Sequence, residues 1–410
     1  MKVSISAASG EGSGVNSDQR AYRLSSIDML RGLVIVIMAI DHTRDFFHAG
    51  AAIDPMGDPN VPLVLALTRW ITHFCAPVFV FLSGTSAGLM AARKSPRELA
   101  WFLLTRGAWL IVIEVFVIST ATTFAPGGIA QLNGHTLGFM QVIWAIGASM
   151  VLLAGAQFLG RKVCLLLGAV IVLGHNLLDG HWPESKGLLD TSLPLWAALH
   201  SVISKTAGPF HFLFLYPLAP WFGVMLLGFG ASVLFERDAV SRNRALIGWG
   251  LGITALFIVL RLLDVYGEPN HWQAQATASG TLIDFLNVTK YPPSLLFLAM
   301  TLGPAAIFCA YAERMHGFFK EMFVTFGRVP FAFYVAHFYL LHALCILLGV
   351  MQGFQATQLM TFPPFFPQGY GVSLGAVYLV WACVIAALYP FCRWVAGVKA
   401  RNRAWWLSYV

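Results

Sequence analysis

Apolar runs long enough to cross the hydrocarbon core of a bilayer, about 30 Å at roughly 20 residues each, recur along almost the whole chain. No other feature constrains its fold as strongly. Such windows fall at 28–47, 66–91, 98–119, 137–158, 162–178, 213–235, 245–264, 294–312, 330–350 and 371–392. Inside a bilayer every backbone N–H and C=O must find a partner within the protein, so runs of this length are read as helices. The expected fold is therefore all-α, a polytopic transmembrane bundle of about ten spanning helices. A short amphipathic piece near Leu195–Lys205 is a candidate eleventh, re-entrant segment. Composition agrees: 58% of the 410 residues are hydrophobic and 11% are charged, with a mean hydropathy of +0.70. These values exclude an ordinary soluble domain.

Orientation follows from Lys and Arg, because cytoplasmic loops retain positive charge. With the N-terminus inside, the inner segments hold Lys2, Arg20 and Arg23; Arg93, Lys94 and Arg97; Arg161 and Lys162; Arg237, Arg242 and Arg244; Arg314, Lys320 and Arg328; and Arg393, Lys399, Arg401 and Arg403. The outer loops hold only Lys186, Lys205 and Lys290. Both termini are thus expected in the cytoplasm, and the number of spans is expected to be even. The net charge of +7 reads as a topology signal. Without a basic stripe interleaved with aromatics on a soluble domain, no nucleic-acid partner is expected. Residues 1–22 read as a disordered polar tail, 23–397 as the membrane domain and 398–410 as a basic cytoplasmic tail. No apolar stretch with a small-residue cleavage site precedes the first helix, so no cleaved signal is expected. The six cysteines form no Cys-x-x-Cys pair and read as packing residues.

The apolar pattern is broken most densely between Arg23 and His48. This stretch opens with Ser25, Asp28 and Arg31 and closes with Asp41, His42, Arg44, Asp45 and His48. Ser25 and Asp28 have capping-box spacing, and Asp28 and Arg31 form an i, i+3 pair. That end reads either as a cap with a headgroup ion pair or as the mouth of a path for an anionic ligand. At the other end Asp41, Asp45 and His48 fall at i, i+4 and i+7 and share a helix face. Ionisable groups at membrane depth are costly and read as functional.

Further polar residues gather at the same expected level. Arg69 and His73, four apart on the second helix, lie level with Asp41. Gly84-x-x-x-Gly88 reads as a close helix contact, and Arg106 and Glu114 on the third helix read as paired or functional. His337 and His342 are five apart and do not share a face, so at most one is expected at a common site. Lys290 and Tyr291 precede Pro292 and Pro293 at the outer surface. The long outer segment 179–211, with Asp179, His181, Trp182, Glu184 and Asp190, reads as a lid or part of an acceptor site.

The blocks RLSSIDMLRGLVIVIMAIDH, FVFLSGTS, LGFMQVIWAIG, YPLAPWFGVMLLG, NVTKYPPSLLFLAMTLG and GRVPFAFYVAHFYLLH occur in this order across the chain. Together they resemble a bacterial member of the heparan-alpha-glucosaminide N-acetyltransferase-like family, within the transmembrane acyltransferase group. The resemblance implies a multi-pass enzyme of the inner membrane. It would move an acyl group, expected to be acetyl, from cytoplasmic acyl-CoA to a sugar or glycan on the far side. It also implies a catalytic His just after the first helix, preceded by a polar residue that is Asn in the animal enzyme and Asp41 here. Both His42 and His48 remain candidates for that His.

Acyl transfer from a thioester needs a base for the acceptor's proton, donors for the developing oxyanion, and cations for the CoA phosphates. Histidine is the residue type in this cluster that titrates near neutrality when unperturbed. The base is therefore expected to be His42 oriented by Asp41, or alternatively His48, with Asp45 beside them. Arg44, Arg69, His73, Lys290, Tyr291 and His337 are expected to frame the acceptor. The nucleotide end of acetyl-CoA falls to Arg31, Arg93, Lys94, Arg97 and Arg106. No metal is expected, because in a rival metalloenzyme using Asp41, His42, Asp45 and His48 the Arg44 cation would oppose the ion. A proton-coupled transporter built on the same residues is the second rival, weakened by the lack of an internal repeat. Acyl-CoA, the glycan acceptor and membrane lipids are the expected partners, and a homodimer is compatible with this reading.

Overall fold

The computed structural model describes the backbone of residues 14–50 and 54–402, and side chains from Ser25 onward within that range. The tail readings for 1–13 and 403–410 lie outside the described residues. Helix accounts for 71% of the described residues. Helix α1 (Gly14–Phe47) is followed by α2 (Leu63–Thr72), α3 (Cys75–Ala91), α4 (Pro96–Ile113), α5 (Ser119–Thr123), α6 (Val142–Ala156), α7 (Gly160–Gly174) and α8 (Leu218–Ala231). Then come α9 (Ala239–Leu263), α10 (Ala278–Leu286), α11 (Leu295–Ala312), α12 (Phe318–Arg328), α13 (Pro330–Met351), α14 (Ala356–Leu359) and α15 (Leu374–Arg401). Eight stretches among the described residues are long and apolar enough to cross a membrane. The longest, Val142–Leu178, contains both α6 and α7. Gly160, the first residue of α7, has φ +82° and ψ 160°, which are not helical values, so α6 and α7 are not one continuous helix.

Close approach of helices is built on small residues, as the Gly84/Gly88 spacing suggested. A Cβ at Gly84 would lie 2.1 Å from the Met225 carbonyl oxygen of α8. The same holds for α1 against α12, where Gly327 abuts the Asp28 carbonyl and Gly32 the Phe323 carbonyl. Helix α1 runs through the middle of the bundle, touching α2, α3, α11, α12, α13 and α15. Met29, Ile35 and Ala39 along it have no solvent exposure.

Side-chain contacts sort the helix ends into two groups. One end gathers Arg31 with Asp28, Arg161 with Glu236, the buried pair of Arg242 and Glu313, and Lys399 on the Arg328 carbonyl. It is the basic end. The opposite end holds the Asp41 cluster and the connections that follow α7 and α9.

Several expectations need correction. The fold is not purely helical: β1 (Thr136–Met140) pairs in parallel with β3 (Phe210–Phe214), which pairs antiparallel with β2 (Ile203–Ala207). Runs such as LGFM and FHFLF are apolar without helical periodicity, so a hydropathy window fuses them with the helices that follow. The windows 137–158 and 213–235 therefore begin too early. The segment near Leu195–Lys205 is no eleventh helix: one short 3-10 turn, Leu195–Leu199, leads into β2. The second window is broken at His73 and Phe74, between α2 and α3. Ser25 does not cap a helix, because α1 begins eleven residues earlier at Gly14 and the Ser25 hydroxyl rests on Met29.

Candidate active site

At the far end of α1 the carboxylate of Asp41 is held by two arginines. Arg69 Nη1, from α2, donates to Asp41 Oδ1 at 2.9 Å and Oδ2 at 2.7 Å. Arg44 Nη2 lies 3.2 Å from Asp41 Oδ1 and 2.6 Å from Asp45 Oδ1. The four formal charges cancel. Burying such a set is tolerable only because each charge is paired and hydrogen-bonded. Asp41 therefore serves the arginines, and the partner that orients His42 is a different residue.

That partner is His337 on α13, with no solvent exposure. His42 Nδ1 lies 2.7 Å from His337 Nε2, and His337 Nδ1 lies 3.2 Å from the Phe333 carbonyl oxygen. A carbonyl can only accept, so His337 carries its proton on Nδ1 and presents a lone pair at Nε2. His42 must then donate from Nδ1, which leaves its own Nε2 unprotonated in the neutral ring. One backbone carbonyl, through one imidazole, thus sets the tautomer of a second.

His42 lines a cavity of about 30 Å³ together with Met38, Gln141, Tyr216, Lys290 and Tyr334. That is about one water molecule's share of the liquid. The short sheet positions two of these residues: β1 ends one residue before Gln141, and β3 ends two before Tyr216. The strands are tied where they meet the helices, Leu215 N donating to the Met140 carbonyl at 3.1 Å. Glu114 caps the start of α6, its Oε2 accepting from Trp144 N at 2.8 Å. A backbone amide of α6 therefore takes the place of the side-chain pairing expected for Glu114. Two buried polar atoms on the cavity residues have no partner among the described residues, Gln141 Nε2 and Tyr334 Oη. Buried groups of this kind cost free energy unless something else completes them.

Of the residues expected at the site, the structure brings together Asp41, His42, Arg44, Asp45, Arg69, Lys290 and His337. Tyr291 stands next to it, its ring 5.2 Å from that of Tyr216. His73 lies behind the wall against Phe297, ring centroids 5.4 Å apart. His48 does not join the group: it faces away, its Nδ1 accepting from Gly50 N at 3.0 Å. The expected shared face of Asp41, Asp45 and His48 is thus only half realised, because the helix ends at Phe47. His342 points elsewhere, between the Ala121 and Leu359 carbonyls at 2.9 Å each, as its five-residue offset from His337 requires.

The remaining cations sit at the basic end. Arg31 binds Asp28 Oδ1 and the Gly327 carbonyl at 3.0 Å and Ser86 Oγ at 3.2 Å. Arg93 and Lys94 in the α3–α4 connection and Arg97 in the first turn of α4 are exposed, and the Arg106 guanidinium stands 5.7 Å from the Phe331 ring centroid. Gln141, Tyr216 and Tyr334 are not among the residues that the sequence places at the site. A lone amide inside the apolar block LGFMQVIWAIG was the available signal for the first of them.

Over residues 23–261, more than half of the chain, the sequence matches the family described as heparan-alpha-glucosaminide N-acetyltransferase, catalytic. The chain belongs to that family. No curated protein matches it. The matched region of this acetyltransferase family contains Asp41, His42, Arg69, Gln141 and Tyr216. The other wall of the cavity, with Lys290 and Tyr334, and the His337 that bonds to His42 come from the residues that follow it.

Proposed function

We propose that this protein transfers an acyl group, acetyl in the first instance, from cytoplasmic acetyl-CoA to a sugar or glycan on the extracytoplasmic side, with His42 as general base. The hydrogen-bonded chain from the Phe333 carbonyl through His337 to His42 carries the reading, because it leaves His42 Nε2 basic at a cavity with unpartnered donors. The acceptor's hydroxyl or amine gives its proton to Nε2 as its oxygen or nitrogen attacks the thioester carbonyl. Tyr334 Oη and Gln141 Nε2 donate to the oxygen on which charge develops. The carbon–sulfur bond then breaks, and CoA departs as a thiolate that takes the proton from the His42 imidazolium. A thiol with an ordinary pKa near 8.5 needs little further acid assistance. While His42 is charged, its Nδ1–H bond to His337 becomes charge-assisted and stronger.

Both termini are placed in the cytoplasm and the protein in the inner membrane of a bacterium, with the basic end inward. The crossings would be α1, α2 with α3, α4 with α5, α6, α7, α8, α9, α11, α13 and α15, ten in all. Exposed Arg93, Lys94 and Arg97 suit the CoA phosphates, with Arg106 deeper and Arg31 largely committed to its own contacts. Along α1 the 11 residues from Arg31 to His42 rise about 16 Å, a span left to the pantetheine arm.

Purified protein in liposomes, given acetyl-CoA with glucosamine as acceptor, should release free CoA thiol. His42→Ala should lower that rate by about 10³-fold, and His48→Ala should leave it near wild type. Full activity in His42→Ala sinks the assignment. Wild-type protein that releases no CoA points instead to the proton-coupled transporter.

A further inference from the structure

A second cavity, of about 480 Å³, lies at the far end between the connection after α7 and the residues leading into α11. Its wall includes Asp179, Trp182, Glu184, His200, Asn270 and Tyr291. Sites for small ligands commonly hold about 300–1,000 Å³. Tyr291 belongs to this cavity while its neighbour Lys290 belongs to the one at His42. The ring pair of Tyr291 and Tyr216, with centroids 5.2 Å apart, stands between the two spaces.

The lining is built. Trp182 is fixed, its Nε1 donating to the Ala197 carbonyl at 2.9 Å and its ring set edge-on to Trp196. His200 is 3% exposed. Its Nε2 lies 3.0 Å from Asp179 Oδ1, while its Nδ1 is buried with no partner among the described residues. A fixed aromatic face, carboxylates, an amide and hydroxyls of Ser185, Ser201 and Ser204 suit a ligand with an apolar ring face and many hydroxyls. Charge narrows the class further. None of the lining residues is Lys or Arg, and two are carboxylates. Burial raises the Asp179 pKa, but hydrogen bonds from His200 and Asn176 outweigh it and hold the carboxyl below its ordinary value. It is ionised at neutral pH.

We infer that this cavity is a receiving chamber for a neutral or amine-bearing saccharide and that it rejects sulfated or uronic glycans. Like charges brought together at a binding surface suppress the wrong partner. The chamber's place ahead of His42 rests on the acyl-transfer reading; its ligand class rests on its own walls.

The test uses full-length His42→Ala protein in nanodiscs, where no transfer interferes. Methyl glucosaminide, methyl glucoside, methyl glucosaminide 6-sulfate and methyl glucuronide are titrated by saturation-transfer NMR. The first two should bind saturably, and the sulfate and uronide at least about ten-fold more weakly. Trp182→Ala should weaken the neutral probes about ten-fold or more, and Glu184→Lys should reverse the preference toward the sulfate. Acetyl-CoA binding should not change in either variant. Should Trp182→Ala fail to fold, Glu184→Lys alone decides. Three results overturn the assignment: no saturable binding of any probe, equal binding of sulfated and neutral probes, or unchanged binding in both variants. If the sugars bind as expected but His42-intact protein releases no CoA from acetyl-CoA, the chamber stands and the acyl-transfer reading falls.

Discussion

Two levels of α1, one near its middle and one at its far end, each carry a carboxylate and an arginine three residues apart, yet they serve different purposes. At the basic end Arg31 meets Asp28, the Gly327 carbonyl and Ser86 Oγ, and those contacts join α1 to α3 and α12. At the far end the Arg44, Asp41 and Arg69 set leaves Arg44 Nε and Nη1 buried with no partner among the described residues, and on the His42 cavity Gln141 Nε2 and Tyr334 Oη are open in the same way. Satisfied polar groups brace a structure, whereas buried donors left open store a cost that a ligand can remove. The same residue pair thus reads as a brace in one place and as part of a site in the other. Satisfaction of the surrounding donors, more than residue identity, separates the two.

The comparison is broken most severely at Arg69. Arg69→Met should destabilise the protein by about 3 kcal/mol, near the lower end for a broken buried pair because Arg44 still contacts Asp41. Thermal unfolding in detergent would measure it, and a shift within error would mean that the carboxylate is not held as described. Next come the open donors. Tyr334→Phe and Gln141→Leu should each reduce kcat by about 10²-fold, with little change in KM for acetyl-CoA and little loss of stability. A stability loss without a kcat loss would turn the far end into a second brace. Arg31→Met probes the opposite end: a loss of about 1.5–3 kcal/mol of stability is expected, while turnover per folded molecule stays near wild type.

Much of this was legible in sequence, for reasons that also mark where legibility stopped. Hydropathy windows find helices because a bilayer forces about 20 apolar residues into one crossing. Arg69 could be placed level with Asp41 by counting turns, and one of His337 and His342 could be removed by their spacing. The strands before α6 and α8 were hidden because apolar strand and apolar helix look alike in a window. The pairing of His42 with His337 was beyond reach: 295 residues separate them, and nothing local to either encodes the other. For the same reason sequence proximity points to Asp41, the nearest carboxylate, as the partner of His42, whereas the hydrogen bond runs to a distant imidazole. Tyr334 was invisible as a site residue because an aromatic on an apolar helix usually packs; only its unpartnered hydroxyl in three dimensions distinguishes it.

The smallest effect belongs to the exposed cations of the α3–α4 connection and the first turn of α4. Arg93, Lys94 and Arg97 lie in water, where each attraction to a phosphate is weak and screened over about 8–10 Å at ordinary ionic strength. Changing all three to Ala should raise KM for acetyl-CoA by about two- to five-fold in low salt, leave kcat alone, and lose its effect in about 1 M salt, where screening shortens to about 3 Å. The salt dependence is the informative part. A KM rise that persists in high salt would mean the three side chains hold the donor in a desolvated pocket. The basic end would then contain a second site, and Arg31, committed as it is to Asp28, Gly327 and Ser86, would be the wall of that site as well as a brace between helices.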